Sequence, residues 1–512
     1  MPASSRGDSL ILQRGPPKVA VWTTGVLGSE IEVGHEVVAF NVSKGIGGAS
    51  GRWTLDLLPR TMSGVQTVAD IRRRAVLYRD LAPNQLVSIG FERTGGIMLG
   101  LIDSVRKTRS LVGQTVKYGL RVTGRDMGKA LEVDNVVFAS VAVETQPAFH
   151  AAIAATLGPD HPVVNDMKGT WGPLTPDGVE SFLAIKLEDA VQWVLDHCTT
   201  LNIPVLAAAA GPGKTPADFI TLDVTSMHDD EVWSESLASY EGSVWSFLQS
   251  VIDPDLYEIR IDSRPDPLAV LTTALPEVVL IVRPKPFDHP KMDWAKVSES
   301  FGTGWEHLGG FATADGSHHE VPEHEVLHEE LGRDDADVFS YVDVTMQNEL
   351  AGSDAAHALG LFYPIVDTAA ATRWGMKAYR ARSALVAADL SKIANGEGDY
   401  GKEIPEATKE VRNRIFNWNR MNAYFEKGSL VVAGRDDFRV GDKLVLPWAI
   451  PPIGDKVGME FYIVGCTWSW SYGGHYTTNL QVTRGHNTEM IDLFDLDTLF
   501  TNPANPTGVA ET

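Results

Sequence analysis

The residue spacing most able to do chemistry in this chain is HEVLH, residues 324 to 328. On a helix, His324 and His328 would lie one turn apart on one face, where both imidazoles could ligate zinc while Glu325 polarised a bound water. Pro322 before the segment and Gly332 after it leave room for a helix of about two turns. The surroundings point elsewhere. Residues 315 to 337 hold nine acids, four histidines and one arginine, a composition that produces such a spacing without selection for a metal. The extended metalloprotease pattern also needs a glycine where this chain has Leu331 and a third histidine where it has Asp334. The preferred reading is an acidic surface turn with no metal, no cofactor and no catalytic residue. A zinc peptidase or cell-wall hydrolase using His324, Glu325 and His328 is the alternative.

A second pattern, AAAAGPGKT at residues 207 to 215, has Gly213, Lys214 and Thr215 in the order of a phosphate-binding loop. Its first glycine is replaced by Ala208, and Pro216 leads into FITLDV, which reads as a strand. Without a helix N-terminus there are no aligned amides to cradle phosphate, so a turn or linker is expected. Trp468 and Trp470 could stack bases or sugars, but their period of two marks a buried sheet face first. The formal charge is 44 − 67 = −23, which repels a phosphate backbone at long range and disfavours nucleic-acid binding. The basic runs Arg72 to Arg74 and Arg106, Lys107 and Arg109 are short, read as solvated faces, and receive no role.

Cys198 and Cys466 are the only two cysteines of the 512-residue chain and are too few for a disulfide framework, which fits folding in a reducing cytoplasm. The N-terminal residues lack the apolar core of a signal peptide, and no apolar run approaches the roughly 18 residues of a membrane helix. No membrane anchor is expected.

Elements follow from periodicity. Val38, Phe40 and Val42 alternate with small or polar residues, GIGGASG turns the chain at 45 to 51, and Trp53, Leu55 and Leu57 resume the alternation. Residues 97 to 105 and 116 to 123 form a second strand pair, so an antiparallel barrel is expected up to about residue 145. Ala190, Val191, Val194 and Leu195 keep helical spacing near Trp193. Seven prolines between 254 and 290 interrupt the strand candidates 256 to 261 and 278 to 283. From 353 to 425 helix is expected again, with Val411, Ile415, Trp418 and Phe425 on one stripe. Cys466, Trp468, Trp470 and Tyr472, then Gly473 and Gly474, then Tyr476, Leu480 and Val482 predict a hairpin with one aromatic face.

Taken in order, these segments resemble the baseplate hub proteins of contractile-tailed bacteriophages, the tail-hub or late-control family. VVAFNVSKGIGGASGRWTLDL (37 to 57) resembles the opening hairpin of that family, and LIDSVRKTRS and YGLRVTGRDMGKAL (101 to 110 and 118 to 131) its next strands. Within the latter, Gly124, Arg125 and Asp126 end a strand and start a short helix. YEGSVWSFLQSVIDPDLYEIRID (240 to 262), VLIVRPKPFD (279 to 288) and LHEELGRDDADVFSYVDVTM (327 to 346) are similar to its middle segments. FRVGDKLVLP (438 to 447) and FYIVGCTWSWSYGGHYTTNLQVTRG (461 to 485) resemble its closing strands.

The resemblance implies an α+β, mostly antiparallel β fold with two tail-tube-like barrels and a mixed helical and loop middle. Residues 1 to 145 would form the first barrel, and 146 to 285 with 426 to 486 a second, discontinuous one. Residues 286 to 425 would be an inserted mixed domain and 487 to 512 a tail. It further implies a structural, non-enzymatic homotrimer in the virion tail baseplate, assembled in the host cytoplasm. Such a trimer joins the sixfold tail tube to the threefold central spike, with the tape-measure and baseplate wedge proteins as further partners and genomic DNA only in transit. A genome-free contractile injection apparatus would use the same part.

Overall fold

The computed structural model describes residues 17–22, 30–48, 50–58, 67–91, 95–112, 115–137, 185–198, 220–224, 231–232, 241–264, 277–285, 318–346, 365–383, 385–386, 411–412, 415–416, 418–419, 422–423, 425–449 and 458–486. The AAAAGPGKT segment, the expected tail 487 to 512 and most of 146 to 217 lie outside the described residues. The N-terminal part holds β1 (Lys18–Trp22), β2 (Glu30–Glu32), β3 (Val37–Gly45), β4 (Arg52–Leu57), α1 (Val68–Asp80), β5 (Leu86–Phe91), β6 (Gly95–Val112), β7 (Thr115–Asp126) and α2 (Lys129–Val133). The middle contributes α3 (Leu187–Cys198), β8 (Ile220–Val224), α4 (Val244–Val251), β9 (Tyr257–Arg264) and β10 (Glu277–Pro284). After these come β11 (His318–Glu320), β12 (Val326–Gly332), β13 (Tyr341–Met346), α5 (Thr368–Trp374) and β14 (Ala378–Ser383). The chain then returns to strands: β15 (Glu426–Ala433), β16 (Lys443–Leu446), β17 (Met459–Ser471) and β18 (Tyr476–His486).

The main sheet has 13 strands in the order β12-β15-β18-β17-β3-β4-β7-β6-β5-β1-β2, with β16 branching from β17 and β11 from β16. Its pairings are antiparallel, as short connections and alternating patterns favour, except for the parallel β11 and β16 pair. A bulge between Val37 and Ala39 opposite β4 shifts the alternation of β3, which is why Val37 is buried and Val38 only half-buried while Phe40 and Val42 keep the expected inward face. Trp53 on β4 lies against β6 and β7 and donates its indole N–H to the Arg125 carbonyl at 3.0 Å. A Cβ on Gly124 would stand 2.3 Å from that indole and 2.2 Å from the Leu101 carbonyl, so the close approach there requires glycine.

The described residues form two apolar cores. One joins N-terminal residues such as Phe40, Trp53 and Leu120 to C-terminal ones such as Leu430, Trp468 and Leu480. The other gathers Leu187, Val191 and Leu195 of α3, Phe247 and Leu248 of α4, and the Tyr257, Ile259 and Ile261 face of β9.

Hydrogen bonding crosses the expected boundary between the first region and the 426 to 486 strands, because β3 pairs with β17 from Gly45↔Gly465 to Ala39↔Ser471. β9 and β10, the strands before residue 285 expected to join the C-terminal ones, pair instead with each other and with β8 in a three-stranded sheet. β11 and β12, expected within an inserted region, belong to the main sheet. Alternation determines which face a strand buries and carries no information about which strand lies beside it. The expected helical stretch 353 to 425 contains the seven-residue α5 and helical residues among 411 to 419, but also β14, which pairs in parallel with β13. Of the expected stripe, Val411 and Ile415 are helical and buried and Trp418 is helical but half-buried, whereas Phe425 is buried but not helical and directly precedes β15. No helix among the described residues is long and apolar enough to cross a membrane.

Candidate functional site

The HEVLH segment is not a helix. Pro322 is extended (φ −71°, ψ 152°), Glu323–Glu325 make one 3-10 turn, and Val326 begins β12. His324 is therefore exposed in the turn and His328 exposed on the strand, without the shared helical face that paired zinc ligation needs. Glu325 accepts a hydrogen bond from Arg435 at 3.3 Å. The expected surface turn thus covers only the start of the segment, since β12 bonds along β15 with a bulge between Val326 and His328. Among the described residues no group of three or more His, Cys, Asp or Glu is placed to hold a metal ion.

Among the described residues, the histidine held by carboxylates is His319, to which the sequence pattern gives no role. His319 on β11 has Nε2 2.7 Å from Asp442 and Nδ1 3.5 Å from Asp437, with its ring edge-on to Phe438 at 5.2 Å. Burial opposes its charge, but the carboxylates of Asp437 and Asp442 hold its pKa above the ordinary histidine value. Burial is the largest single influence on Asp437 and acts to raise its pKa, but His319 and Arg435 together outweigh it and hold the carboxyl below the usual carboxylate range.

Trp468 and Trp470 lie in the core, 1% and 3% exposed, and so offer no open stacking platform. The Trp468 indole donates to the Arg435 carbonyl at 2.9 Å, and Trp470 stacks on Phe40 at 6.0 Å between centroids. Tyr472 departs from the expected aromatic face: it sits in the hairpin turn and is exposed.

The densest polar cluster is where β9 and β10 meet the main sheet. Arg283 donates from Nε to Glu258 at 3.1 Å, and from Nη2 to the Tyr462 hydroxyl at 2.8 Å and the Gly441 carbonyl at 3.1 Å. Tyr462 also donates to Glu258. Arg260 lies 3.9 Å from the same carboxylate, and Lys44 on β3 reaches Asp262 at 3.2 Å. Burial disfavours the Arg283 charge, yet Tyr462 and Glu258 raise its pKa above the ordinary arginine value. Burial first, and the neighbouring Arg283 next, lower that of Arg260. Gly441, at φ +88°, is where these guanidinium groups pass the backbone, and a Cβ there would stand 2.1 Å from Arg260 Nη1.

Beside this cluster a cavity of about 20 Å³ is lined by Lys44, Asp126, Arg260, Asp262, Arg439 and Trp468, room for about one water molecule. Asp126 accepts from the Gly128 N–H at 2.9 Å, and burial pushes its pKa up to about 7. These groups join chain segments more than a hundred residues apart and hold no arrangement of nucleophile and base. The signal that could have found them is the charged set Glu258, Arg260 and Asp262 alternating with the apolar set of β9.

The two basic runs meet on one surface. Arg74 of α1 and Arg109 of β6 lie over the Tyr118 ring at 4.9 and 5.9 Å, and Lys107 lies over Tyr78 of α1 at 4.1 Å.

No protein-family model matches the chain, and no curated protein sequence does. Solved structures resemble it. The tail protein from Neisseria meningitidis MC58 aligns over 92% of this chain and 97% of its own, at 11% identity and a TM-score of 0.46. The 43 kDa tail protein of prophage MuSo2 from Shewanella oneidensis aligns over 91% and 96%, at 8% identity and a TM-score of 0.41. A component of the E. coli type VI secretion system, described as similar to bacteriophage T4 tail proteins, aligns over 87% and 73%, at 8% identity and a TM-score of 0.36. Two of these neighbours are described as tail proteins and the third as a component of a type VI secretion system.

Proposed function

We propose that this chain is the hub at the centre of a contractile-tail baseplate, a homotrimer that adapts a sixfold tail tube to a threefold central spike and lines the channel for DNA passage. The observation that carries the reading is the main sheet itself. It runs from the opening strands to the closing strands of the hub resemblance, and among the described residues no strand pairs with the outer edge of β12 or of β2. Antiparallel sheets of this width rarely stay open without curling, and free strand edges are an aggregation liability that proteins cover or pair. In this reading β1 to β7 and β15 to β18 are the two tube-like units of one chain, joined where β3 meets β17, so that three chains present six units. The remaining contacts are to the tape-measure and baseplate wedge proteins. The net charge of −23 suits a channel through which DNA slides without adhering. The role is structural and needs no catalytic group or cofactor.

Native mass spectrometry of the chain co-expressed with its spike tests the reading. A stable complex with three copies of this chain is expected. A complex with two or six copies, or no complex at all, overturns it.

A further inference from the structure

Helix α1 presents an apolar stripe to solvent. Its capping box, Thr67 with Asp70, sets the first turn, and of its 13 residues only Asp70 and Leu77 are buried. Val68, Ile71 and Tyr78, at 67%, 38% and 40% exposure, fall with Ala75 on the face opposite Leu77. Beside that stripe lie the exposed Arg72 of the helix and the exposed Lys107, whose ammonium group sits over the Tyr78 ring. The β6 and β7 hairpin beneath α1 runs on past its neighbours, since β4 stops opposite Leu120 and β5 opposite Leu101 while β6 and β7 stay paired to Val112↔Thr115. The result is an apolar strip on a positive surface in a chain of strongly negative net charge.

The complementary surface is on the same molecule. β12 is the last strand at one end of the sheet order, bonded on one side only among the described residues. Leu327 is 44% exposed there, beside the exposed Glu329 and Glu330. Apolar residue and charge of one sign face solvent on β12, and apolar residues and charge of the other sign on α1. The sheet order sets α1, over β6 and β7, in the half away from β12. Two different, complementary patches toward opposite ends of one subunit are what a heterologous contact needs, and such a contact closes into a ring when its rotation divides the circle.

We propose that α1 with the adjoining β6 surface and the β12 edge are the two halves of one head-to-tail contact between copies of this chain, the basic helix face of one copy receiving the acidic edge of the next. This rests on the trimeric reading above and names its surfaces. Opposite charge around an apolar centre sets register and rejects wrong partners, while the apolar groups exclude water from the contact.

Charge reversal tests it on the full chain, with and without spike. One variant carries Arg72→Glu and Lys107→Glu, a second Glu329→Lys and Glu330→Lys, and a third all four substitutions; every position is exposed, and circular dichroism checks that each variant folds. Sedimentation analysis should show at least about tenfold weaker self-association for each of the first two variants, recovered in the third. If the wild type assembles and the first two variants assemble equally well, this contact is wrong while the trimer stands. A wild type that stays monomeric even with spike removes the trimer and this contact with it. Binding of an oligonucleotide to the α1 face, abolished by the first variant while self-association is untouched, would also overturn the proposal in favour of a nucleic-acid surface.

Discussion

β17 and β9 both alternate two kinds of residue, but β17 buries one of the two faces that alternation creates and β9 buries both. On β17 the inward set is Cys466, Trp468 and Trp470, and its partners Thr467 and Ser469 are small and half-exposed. On β9 the apolar set Tyr257, Ile259 and Ile261 packs on the helical core, while Glu258, Arg260 and Asp262 face the main sheet and are 4%, 5% and 8% exposed. A strand of alternating apolar and charged residues ordinarily has one wet face. Here the charged face is covered by another sheet: Arg283 and Tyr462 donate to Glu258, Lys44 pairs with Asp262, and Arg283 in turn donates to the Gly441 carbonyl. The apolar strand can be understood from its own residues, whereas the charged one depends on partners distant in the chain.

The sharpest break of this contrast is Glu258→Ala. Removing the shared carboxylate leaves Arg260 and Arg283 buried beside one another, and a loss of about 3 to 5 kcal/mol in unfolding free energy is expected by denaturant titration. Replacing Glu258, Arg260 and Arg283 together by Leu, Met and Met should recover most of that loss. If the single variant is as stable as the wild type, the cluster does not hold β9 to the main sheet.

Asp126 gives the next largest effect, and it depends on pH. Its folded pKa of about 7 lies above the unfolded value of about 3.9, so the folded state holds the extra proton. Its favourable contribution is complete below the unfolded pKa and is lost as pH rises through the folded one. Asp126→Asn should therefore gain stability relative to wild type between about pH 5 and pH 8, by about 2 to 4 kcal/mol in total. Parallel unfolding curves for the two proteins at both pH values would show that Asp126 is ionised without penalty.

On the apolar side of the contrast, Thr478 of β18 is fully buried, donates to the Arg435 carbonyl at 2.8 Å and accepts from the Arg435 N–H at 3.1 Å. Thr478→Val keeps the shape but removes the acceptor of the Arg435 N–H, while the Arg435 carbonyl keeps the Trp468 indole as a donor, and about 1 to 3 kcal/mol should be lost in thermal or denaturant unfolding. The smallest effect belongs to the exposed histidines. His324→Ala with His328→Ala should change stability by no more than about 0.5 kcal/mol. Metal analysis before and after the substitution checks the peptidase alternative, which stoichiometric zinc lost in the variant would revive.

The paired strands around GIGGASG, the aromatic hairpin, the α3 stripe and the β9 and β10 strands were all legible in the sequence, because each is a local periodicity against a core. The order of segments also carried the tail-hub resemblance. Tertiary structure alone decided that β3 lies beside β17, with Asn41 donating to Ser469 at 2.8 Å across 428 residues, because backbone pairing is indifferent to sequence distance. It decided that HEVLH runs from a turn into an edge strand, since β15 supplies the backbone partners that outweigh a weak helical spacing. The charges of β9 became a buried cluster, and two short basic runs became one surface, by the same cause: a side chain's environment is set by what packs against it, and packing is not written in its neighbours along the chain.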